Sequence, residues 1–267
     1  MRKLHLVFIA LAAILFFGCP EKNSEDKDEP AQKSGWVSRY WDGCKQSCSW
    51  GGKTQYPPLA SSDRCRACQI DGHSEIAATD NNKSSCTSGG NSYTCFDFTP
   101  HKVNDNLAYA FAAAPTDQCG KCFELQFDGG SKYPANANHL KIKGKTLIVM
   151  TSNKGGDVSQ GQFDVLIPGG GVGQYNAFSS QISVSTNQLG DQYGGLLSAC
   201  EKESNYNAST YKQCLTNKCI SVFTDATLRE GCIFLADWFE AAGNPTMLYK
   251  EVECPEYLIN RYKATLK

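Results

Sequence analysis

The sequence predicts a mainly β fold with a few helices and long, disulfide-linked loops. Short strand-like runs recur along the chain, at residues 122–127, 145–151, 162–168 and 245–254. Gly, Pro, Asn or Asp residues flank each run, as such turn-forming residues commonly flank strands. The chain also holds fourteen cysteines behind an export signal, and cysteines in that setting indicate disulfides.

Two segments are predicted to be helices. Residues 104–114, "NDNLAYAFAAA", begin with Asn and Asp and space Leu107, Phe111 and Ala114 on one face. Residues 234–243, "FLADWFEAAG", end in Gly followed by Asn-Pro, a common helix stop. The rest of the chain is predicted to be strands and long loops, which disulfides would hold.

The N-terminal residues predict export. Arg2 and Lys3 precede an apolar run from Leu4 to Phe17, which is shorter than the roughly 20 apolar residues of a membrane-spanning helix. The run ends in "LFFGC", which resembles a lipobox, where Cys19 would be acylated and become the mature N-terminus. The alternative is ordinary secretion with cleavage nearby. The protein is therefore expected at the cell surface or outer membrane as a lipoprotein, or else secreted.

The chain divides into three parts, the first being the signal peptide with its lipobox, residues 1–19. Residues 20–35 are charged, contain two prolines and lack aromatics, so they predict a flexible linker. Aromatics and cysteines are dense over residues 36–267, which predict one catalytic domain with a real core. The domain is expected to act as a monomer.

Charge and cysteine spacing exclude several classes of partner. The 26 basic and 27 acidic residues nearly balance, whereas nucleic-acid binding usually shows as a basic stripe. A membrane contact is expected only through the N-terminal lipid. Two CxxC pairs, at residues 65–68 and 119–122, are far apart among scattered cysteines, and no βαβ pattern surrounds them. This argues against zinc and against a thioredoxin-like pair, so neither a metal nor a cofactor is expected.

Two stretches carry the candidate chemistry. In "SRYWDGCKQSCSW", residues 38–50, Asp42 stands beside two aromatics and before two cysteines. Residues 151–173, "TSNKGGDVSQGQFDVLIPGGGVG", hold Asp157 and Asp164. Strand alternation places Asp164 on one face, where desolvation would help it to hold a proton. Glycoside hydrolysis requires two carboxyl groups that flank one bond, which makes Asp42 and Asp164 the candidates.

Both stretches resemble glycoside hydrolase family 45. "RYWDGCKQSC" is similar to the family's first block, usually "RYWDCCKPSC", and "GGDVSQGQFDVLIPGGGVG" resembles its second, "GGD…HFD…IPGGGVG". Further similar segments are "SGGNSYTCFDFTPHKVNDNLAYAFAA", "CGKCFELQF", "DWF", "AGNP" and "VECPEYL". The resemblance runs from about Ser38 to about Leu258, which is nearly the whole folded region.

The resemblance implies an inverting endo-β-1,4-glucanase built on a six-stranded double-psi β-barrel with a long open groove. It implies that Asp42 is the general base, that Asp164 is the general acid and that Asp157 assists near the scissile bond. The expected substrate is a β-1,4-glucan, with cellulose, mixed-linkage glucan, xyloglucan and glucomannan as alternatives.

The resemblance also implies substrate-binding residues. Tyr40 is expected near the cleaved sugar, and Trp50 is expected to stack on a sugar toward the non-reducing end. Ser38 and Gln162 are the remaining expected contacts. Gln162 replaces the histidine of "HFD" and cannot titrate, and Gln46 replaces a proline of the first block.

Two of the family's disulfides are expected to be absent, because Gly43 and Gly120 stand where the family has cysteines and the expected partner cysteines are absent too. The resemblance implies four surviving bridges between distant segments, Cys44–Cys86, Cys48–Cys119, Cys68–Cys95 and Cys122–Cys254. Two more are expected later in the chain, Cys200–Cys232 and Cys214–Cys219. Either Cys65 or Cys68 would be left unpaired.

Two other classes compete with the hydrolase. An expansin-like protein shares this barrel and binds cell-wall polysaccharide without hydrolysis, but it lacks the base of the "YWD" block. A disulfide-rich surface binding module would have no activity. Asp42 stands at the position of the base, and both acidic blocks recur in order, which favours the hydrolase.

Overall fold

The structure is a computed structural model that describes residues 31–54, 56–116 and 118–266. The predicted signal segment, Cys19 and most of the predicted linker lie outside these residues. The first strand begins at Lys33, three residues before the predicted start of the catalytic domain, because Lys33 pairs with Tyr249 of the last strand. In the part of the chain that is described, no helix has the length and apolarity needed to cross a bilayer.

The strands are of very unequal length. Three are two-residue strands in the loops, and six have five to ten residues. The strands are β1 (Lys33–Tyr40), β2 (Ala67–Cys68), β3 (Glu75–Ile76), β4 (His101–Lys102), β5 (Leu107–Ala114), β6 (Cys122–Ser131), β7 (Thr146–Lys154), β8 (Gln162–Leu166) and β9 (Pro245–Val252). They form a seven-stranded sheet and a separate pair, β2 with β3.

The six long strands close into a barrel. Their order is β5-β7-β6-β9-β1-β8, and β8 pairs back onto β5, so the ring has no free edge. The pairs β1–β8 and β5–β7 are parallel, while the other four contacts are antiparallel. This closed sheet confirms the mainly β prediction and the six-stranded barrel that the resemblance implies.

The four strand-like runs of the sequence coincide with β6, β7, β8 and β9. Their branched and aromatic side chains alternate between the barrel interior and its outer layer. The interior is closely packed, with Leu125, Phe127, Leu147 and Val149 all fully buried. Burial of such side chains stabilises a fold by about 1.5–3 kcal/mol each.

The helix predicted at residues 104–114 is wrong. Residues 107–114 form β5, which pairs with β7 along its length and with β8 near its end. Nearly every residue of β5 is buried, including Ala108, Ala110 and Ala112. A strand enclosed on both faces shows no alternation, and tertiary pairing overrides the helix preference of alanine.

The helices lie outside the barrel. They are α1 (Ala137–Lys141), α2 (Phe178–Gln181), α3 (Gly195–Glu203), α4 (Tyr211–Val222), α5 (Ala226–Ala236) and α6 (Glu256–Tyr262). The helix predicted at residues 234–243 overlaps only the end of α5. That helix begins earlier because the Asp225 carboxylate accepts a hydrogen bond from the Leu228 amide at 2.9 Å and caps it.

The glycine run at residues 169–171 brings two backbone segments into contact. Leu196 N donates to Gly169 O at 2.8 Å, and Trp41 N donates to Gly171 O at 2.7 Å. A Cβ atom at Gly195 would lie only 1.9 Å from Gly169 O. The run therefore ties the segment that carries Asp42 to the start of α3, without room for side chains.

Gly43 permits another close approach, next to Asp42. Its φ of 78° lies in the left-handed region that favours glycine. A Cβ atom there would lie 2.9 Å from the backbone nitrogen of Phe178. The amides of Ala177 and Phe178 both donate to Asp42 O at 2.9 Å, so Gly43 lets α2 dock on the acid-bearing segment.

Six disulfides link the described residues, and such a density is typical of exported proteins. The four expected bridges between distant segments are formed: Cys44–Cys86, Cys48–Cys119, Cys68–Cys95 and Cys122–Cys254. Cys65 is buried and is the free cysteine of the described residues. This settles the choice between Cys65 and Cys68 that the sequence left open.

The remaining two bridges differ from the expectation. The structure pairs Cys200 with Cys214 and Cys219 with Cys232, not Cys200 with Cys232 or Cys214 with Cys219. Cys214 and Cys219 lie on the same helix, α4. Five residues along a helix separate two side chains by more than one turn and direct them to different faces, so they cannot bond to each other. Instead α4 is linked to α3 before it and to α5 after it.

Candidate active site

Asp42 is held just beyond the end of β1. Its Oδ1 accepts a hydrogen bond from the Cys44 amide at 2.9 Å, and its side chain is 8% exposed. Burial, with a smaller contribution from the charge of Asp157, raises the pKa of Asp42 to about 6 against the opposing effect of backbone hydrogen bonds. Asp42 therefore holds a proton more strongly than an ordinary carboxyl group.

Asp164 lies on β8, and three interactions define its surroundings. It pairs in register with Ser38 on β1 and with Ala113 on β5. Ser38 Oγ donates to Asp164 Oδ1 at 2.6 Å. Burial raises the pKa of Asp164 to about 7, against the opposing effects of the Ser38 hydrogen bond and the Arg39 charge. A carboxyl group with this pKa still carries a proton near neutral pH.

Asp157 is exposed on the loop between β7 and β8. It lines the same cavity as Asp164. Its charge is close enough to raise the pKa of both Asp164 and Asp42. The three acids named from the sequence therefore lie close enough for the charge of one to affect the pKa of another.

Tyr40 is buried beneath the site in a polar network. Its hydroxyl donates to Gln46 Oε1 at 3.1 Å and accepts from Asn153 Nδ2 at 2.9 Å. Gln46 Nε2 donates to Thr94 Oγ1 at 3.0 Å. Burial, followed by the charge of Asp42, raises the pKa of Tyr40 well above its ordinary value, so Tyr40 stays neutral and fixed in position.

Gln46 is a residue whose role the sequence did not reveal. It is almost completely buried, and its Oε1 also accepts from Ser152 Oγ at 3.1 Å. The one signal available was its departure from the proline of the family block. A proline could not supply the amide group that joins Tyr40 to β7.

Trp50 is half-buried and does not line the large cavity. Lys45 Nζ lies 3.7 Å from the centroid of its ring and covers one face of the indole. Lys45 Nζ also donates to Thr79 O at 2.9 Å and to Asn82 O at 2.8 Å. Burial lowers the pKa of Lys45 to about 8. Lys45 therefore occupies one face of the Trp50 ring.

A cavity of about 680 Å³ extends from Asp164 along one side of the site. Of the residues named from the sequence it contains Ser38, Tyr40, Asp157, Gln162 and Asp164, but not Asp42 or Trp50. Its outer part is lined by three exposed tyrosines that the sequence did not single out, Tyr133, Tyr193 and Tyr206. Rings with one apolar face and one polar end suit a ligand that is itself both apolar and hydroxylated.

One wall of this cavity comes from α3 and the turn before it. Ser198, Glu201 and Lys202 of α3 line it, and the Cys200–Cys214 bridge ties α3 to α4. Arg39 reaches this wall from β1, because its Nη2 donates to Gly194 O at 2.9 Å. Nothing in the sequence of these segments indicates that their side chains line the cavity.

We expect Asp42→Asn to stabilise the folded protein at neutral pH. The pKa of Asp42 is raised in the folded state, so the carboxyl contributes stability that is present below about pH 4 and is lost as the pH rises through about 6. A shift of about two pKa units corresponds to about 3 kcal/mol. Because asparagine does not ionise, the advantage of the variant in free energy of unfolding should grow by about 2–3 kcal/mol between about pH 4 and pH 7.5.

Urea unfolding with the disulfides intact measures this difference at both pH values. Asp105→Asn is the matched control, since Asp105 is exposed and its ion pair with Lys102 lowers its pKa. That control should show no such gain. An Asp42→Asn advantage that does not change with pH would contradict the raised pKa.

The chain is similar to a known family and to several known proteins. Residues 34–264 match the model of glycosyl hydrolase family 45. The chain is 44% identical over 235 residues to "Endoglucanase B" of Cellvibrio japonicus (strain Ueda107), which covers 85% of this chain and 45% of the relative. It is 34% identical over 236 residues to "Putative endoglucanase type K" of Fusarium oxysporum, covering 86% of this chain and 53% of that one. The chain thus spans about half the length of these two relatives.

A shorter relative matches from end to end, an "Endoglucanase" of Cryptopygus antarcticus at 34% identity over 96% of this chain and 95% of the relative. The crystal structure of a cellulase from this Antarctic springtail superposes with a TM-score of 0.68. It has 34% sequence identity and covers 87% of this chain and 96% of that chain. The two acid-bearing blocks, the closed six-stranded barrel and these matches lead to one conclusion: the chain belongs to glycosyl hydrolase family 45.

Proposed function

We propose that the chain is an inverting endo-β-1,4-glucanase that hydrolyses internal bonds of cellulose or a related β-glucan. The observation that carries this proposal is a pair of carboxyl groups, Asp42 buried and Asp164 half-buried in the cavity wall, whose pKa values are raised by different amounts. Two carboxyl groups with different proton affinities are what general acid and general base catalysis requires. The names of the relatives, which are endoglucanases, support the same activity.

Asp164 is the proposed general acid. With a pKa of about 7 it is largely protonated in slightly acid solution and can give its proton to the leaving glycosidic oxygen. The hydrogen bond from Ser38 and the positive charge of Arg39 favour the carboxylate that remains. Both interactions help Asp164 to release its proton.

Asp42 is the proposed general base. Its pKa of about 6 leaves it ionised while Asp164 is still protonated, so the two groups can hold opposite states in the same solution. Asp42 then takes a proton from the water that attacks the anomeric carbon. Asp157, exposed in the same groove, would place negative charge near the sugar as positive charge develops on it.

The proposed substrate lies along the groove. The cavity on the Asp164 side would hold the leaving part of the glucan against its exposed tyrosines. Trp50 would stack on a sugar at the other end with the ring face that Lys45 leaves free. Ser38 and Gln162 would act through Asp164, because both are hydrogen-bonded in a chain that ends on its carboxyl group.

An expansin-like function, binding of cell-wall polysaccharide without hydrolysis, has less support. The presence of Asp42, buried and with a raised pKa, is not needed for binding alone. Release of reducing sugar from carboxymethylcellulose separates the two functions directly.

We also propose that the protein acts as a monomer anchored by an acylated Cys19, with residues 20–35 as the spacer. The "LFFGC" segment supports the anchor, and the disulfides fit an exported protein.

Asp42→Asn and Asp164→Asn should each lower kcat by about 100- to 10,000-fold, because each removes a proton-transfer group. Asp157→Asn should cost less than Asp164→Asn. In the unmodified protein kcat/KM should rise as the pH passes about 6 and fall as it passes about 7. Initial rates on a soluble β-1,4-glucan measure both effects. Near-normal turnover by Asp42→Asn would refute its role as base.

The first product should be the α-anomer. Water activated by Asp42 attacks the face opposite the leaving group, which inverts the anomeric centre. Transglycosylation should be negligible, since no glycosyl-enzyme forms. Proton NMR of the earliest products reveals the anomer, and a β-anomer that appears first would exclude the inverting mechanism even if both acids are essential.

Cys19→Ala should release the protein from the membrane fraction or block its processing. Fractionation of cells that express each form, followed by mass spectrometry of the mature N-terminus, tests the anchor. Unmodified wild-type protein in the medium, cleaved at another residue, would remove the lipoprotein proposal, and sedimentation of the released form tests the monomer.

A further inference from the structure

A chain of three hydrogen bonds leads to Asp164. The backbone N–H of Ser159 donates to Gln162 Oε1 at 2.8 Å. Gln162 Nε2 lies 2.7 Å from Ser38 Oγ, and Ser38 Oγ lies 2.6 Å from Asp164 Oδ1. Gln162 is the residue that replaces the titratable histidine of the family block. Unlike histidine, glutamine has one fixed donor group and one fixed acceptor atom, and both are used in this series of hydrogen bonds.

The first hydrogen bond fixes the orientation of the Gln162 amide. A backbone N–H can only donate, so the Gln162 atom that faces Ser159 must be the oxygen. A flipped amide would direct its NH₂ group at the Ser159 N–H and lose this bond. The nitrogen of Gln162 must then face Ser38.

The second hydrogen bond fixes the hydroxyl of Ser38. An amide nitrogen donates and does not accept, so Ser38 Oγ accepts from Gln162. The single hydrogen of Ser38 is left to be donated, and the acceptor within reach is Asp164 Oδ1. Ser38 Oγ has no third protein partner among the described residues, so a reversed hydroxyl would leave its hydrogen without a protein acceptor.

We propose that Gln162 is a positioning residue that, through Ser38, confines the catalytic proton of Asp164 to Oδ2. Oδ1 accepts the Ser38 hydrogen in both protonation states of the carboxyl group. Oδ2, which has no protein partner among the described residues, carries the proton and delivers it to the leaving oxygen. The proposal rests on the proposed role of Asp164 as general acid.

The donor-to-acceptor direction of this hydrogen-bond chain does not depend on pH. Neither the glutamine nor the serine titrates in the range where the enzyme works. A histidine in place of Gln162 could donate or accept according to its protonation and tautomer. The glutamine keeps Ser38 in one orientation as the pH changes.

Several other charged groups face Asp164 and set its proton affinity. Asp157 on the β7–β8 loop and Asp42 beyond β1 raise its pKa, whereas Arg39 on β1 lowers it. Tyr40 lies near enough for the charge of Asp164 to affect its own pKa. These groups remain in every variant proposed below, so the charge-neutral variants report on the Ser38–Gln162 chain alone.

Gln162→Glu keeps the size of the side chain, but it replaces the donor with an acceptor and adds a negative charge that by itself raises the pKa of Asp164. The charge-neutral pair Ser38→Ala and Ser38→Thr, described below, is therefore read beside it. A glutamate at this position accepts from Ser159 and also from the Ser38 hydroxyl, which reverses Ser38. Asp164 would then have to donate from Oδ1, and its proton would be held away from the substrate. We expect a loss of about tenfold or more in kcat at the pH optimum and a rise of about one unit in the pKa of Asp164.

Three further variants complete the set. Ser38→Ala removes the hydrogen bond to Asp164 and should raise its pKa, while Ser38→Thr keeps the hydroxyl and should restore kcat and the pKa toward the wild-type values. Gln213→Glu makes the same chemical change on the exposed face of α4. It should leave the pH profile and the pKa of Asp164 unchanged.

Two measurements are needed on the full protein. The pH dependence of kcat and kcat/KM gives the kinetic effect, and NMR titration of protein labelled with ¹³C at the aspartate carboxyl carbons gives the pKa of Asp164. Asp164→Asn identifies its resonance. Because the titration needs no turnover, it tests the hydrogen-bond chain even if the proposed hydrolase activity fails.

An unchanged pKa of Asp164 and an unchanged kcat in Gln162→Glu would overturn the proposal. Circular dichroism and urea unfolding establish that each variant folds. Should Gln162→Glu fail to fold, Ser38→Ala and Ser38→Thr decide the matter by titration. Equal pKa values of Asp164 in those two variants would also overturn it.

Discussion

The parallel pairing of β1 with β8 is the constraint on which the active site depends. It places Ser38 opposite Asp164 and Tyr40 opposite Leu166, so the segment with Asp42 leaves the barrel beside the strand that carries the other carboxyl group. A shift of one residue would turn every side chain of the strand to the opposite face. β1 is held on its other edge by β9, and β8 by β5, which is why the register cannot slip without opening the barrel.

The fold was predictable wherever local pattern and tertiary role agree. The runs that became β6, β7, β8 and β9 have strand-forming side chains between turn residues, and the barrel uses them as such. β5 was not predictable, because alanines such as Ala110 carry a local preference for helix that only pairing with two neighbouring strands overrides. The pairing of Cys214 was similarly hidden, since it depends on where α4 lies between α3 and α5.

The candidate site was predictable at its acids and less so around them. Asp42 and Asp164 stand in long, ordered blocks, and chemistry that needs two carboxyl groups leaves such blocks recognisable. The supporting residues act through distant contacts. Gln46 joins strands far apart in sequence. Tyr206 lines the cavity from the turn between α3 and α4, two helices that the Cys200–Cys214 bridge joins. Such roles depend on position in space, for which one sequence carries no local signal.

Gly43 and Gly120, which the resemblance places at cysteine positions of the family, limit the side chains that the backbone accepts there. Gly43 and Gly120 both have left-handed backbone, with φ of 78° and 86°. A Cβ atom at Gly43 would lie 2.9 Å from the backbone nitrogen of Phe178 in α2, so a cysteine would fit there only if that helix moved. A bridge at this position would need a second cysteine as well as a new path for the segment around it. The segment that carries Asp42 is held instead by the Cys44–Cys86 bridge and by the two amides that donate to Asp42 O.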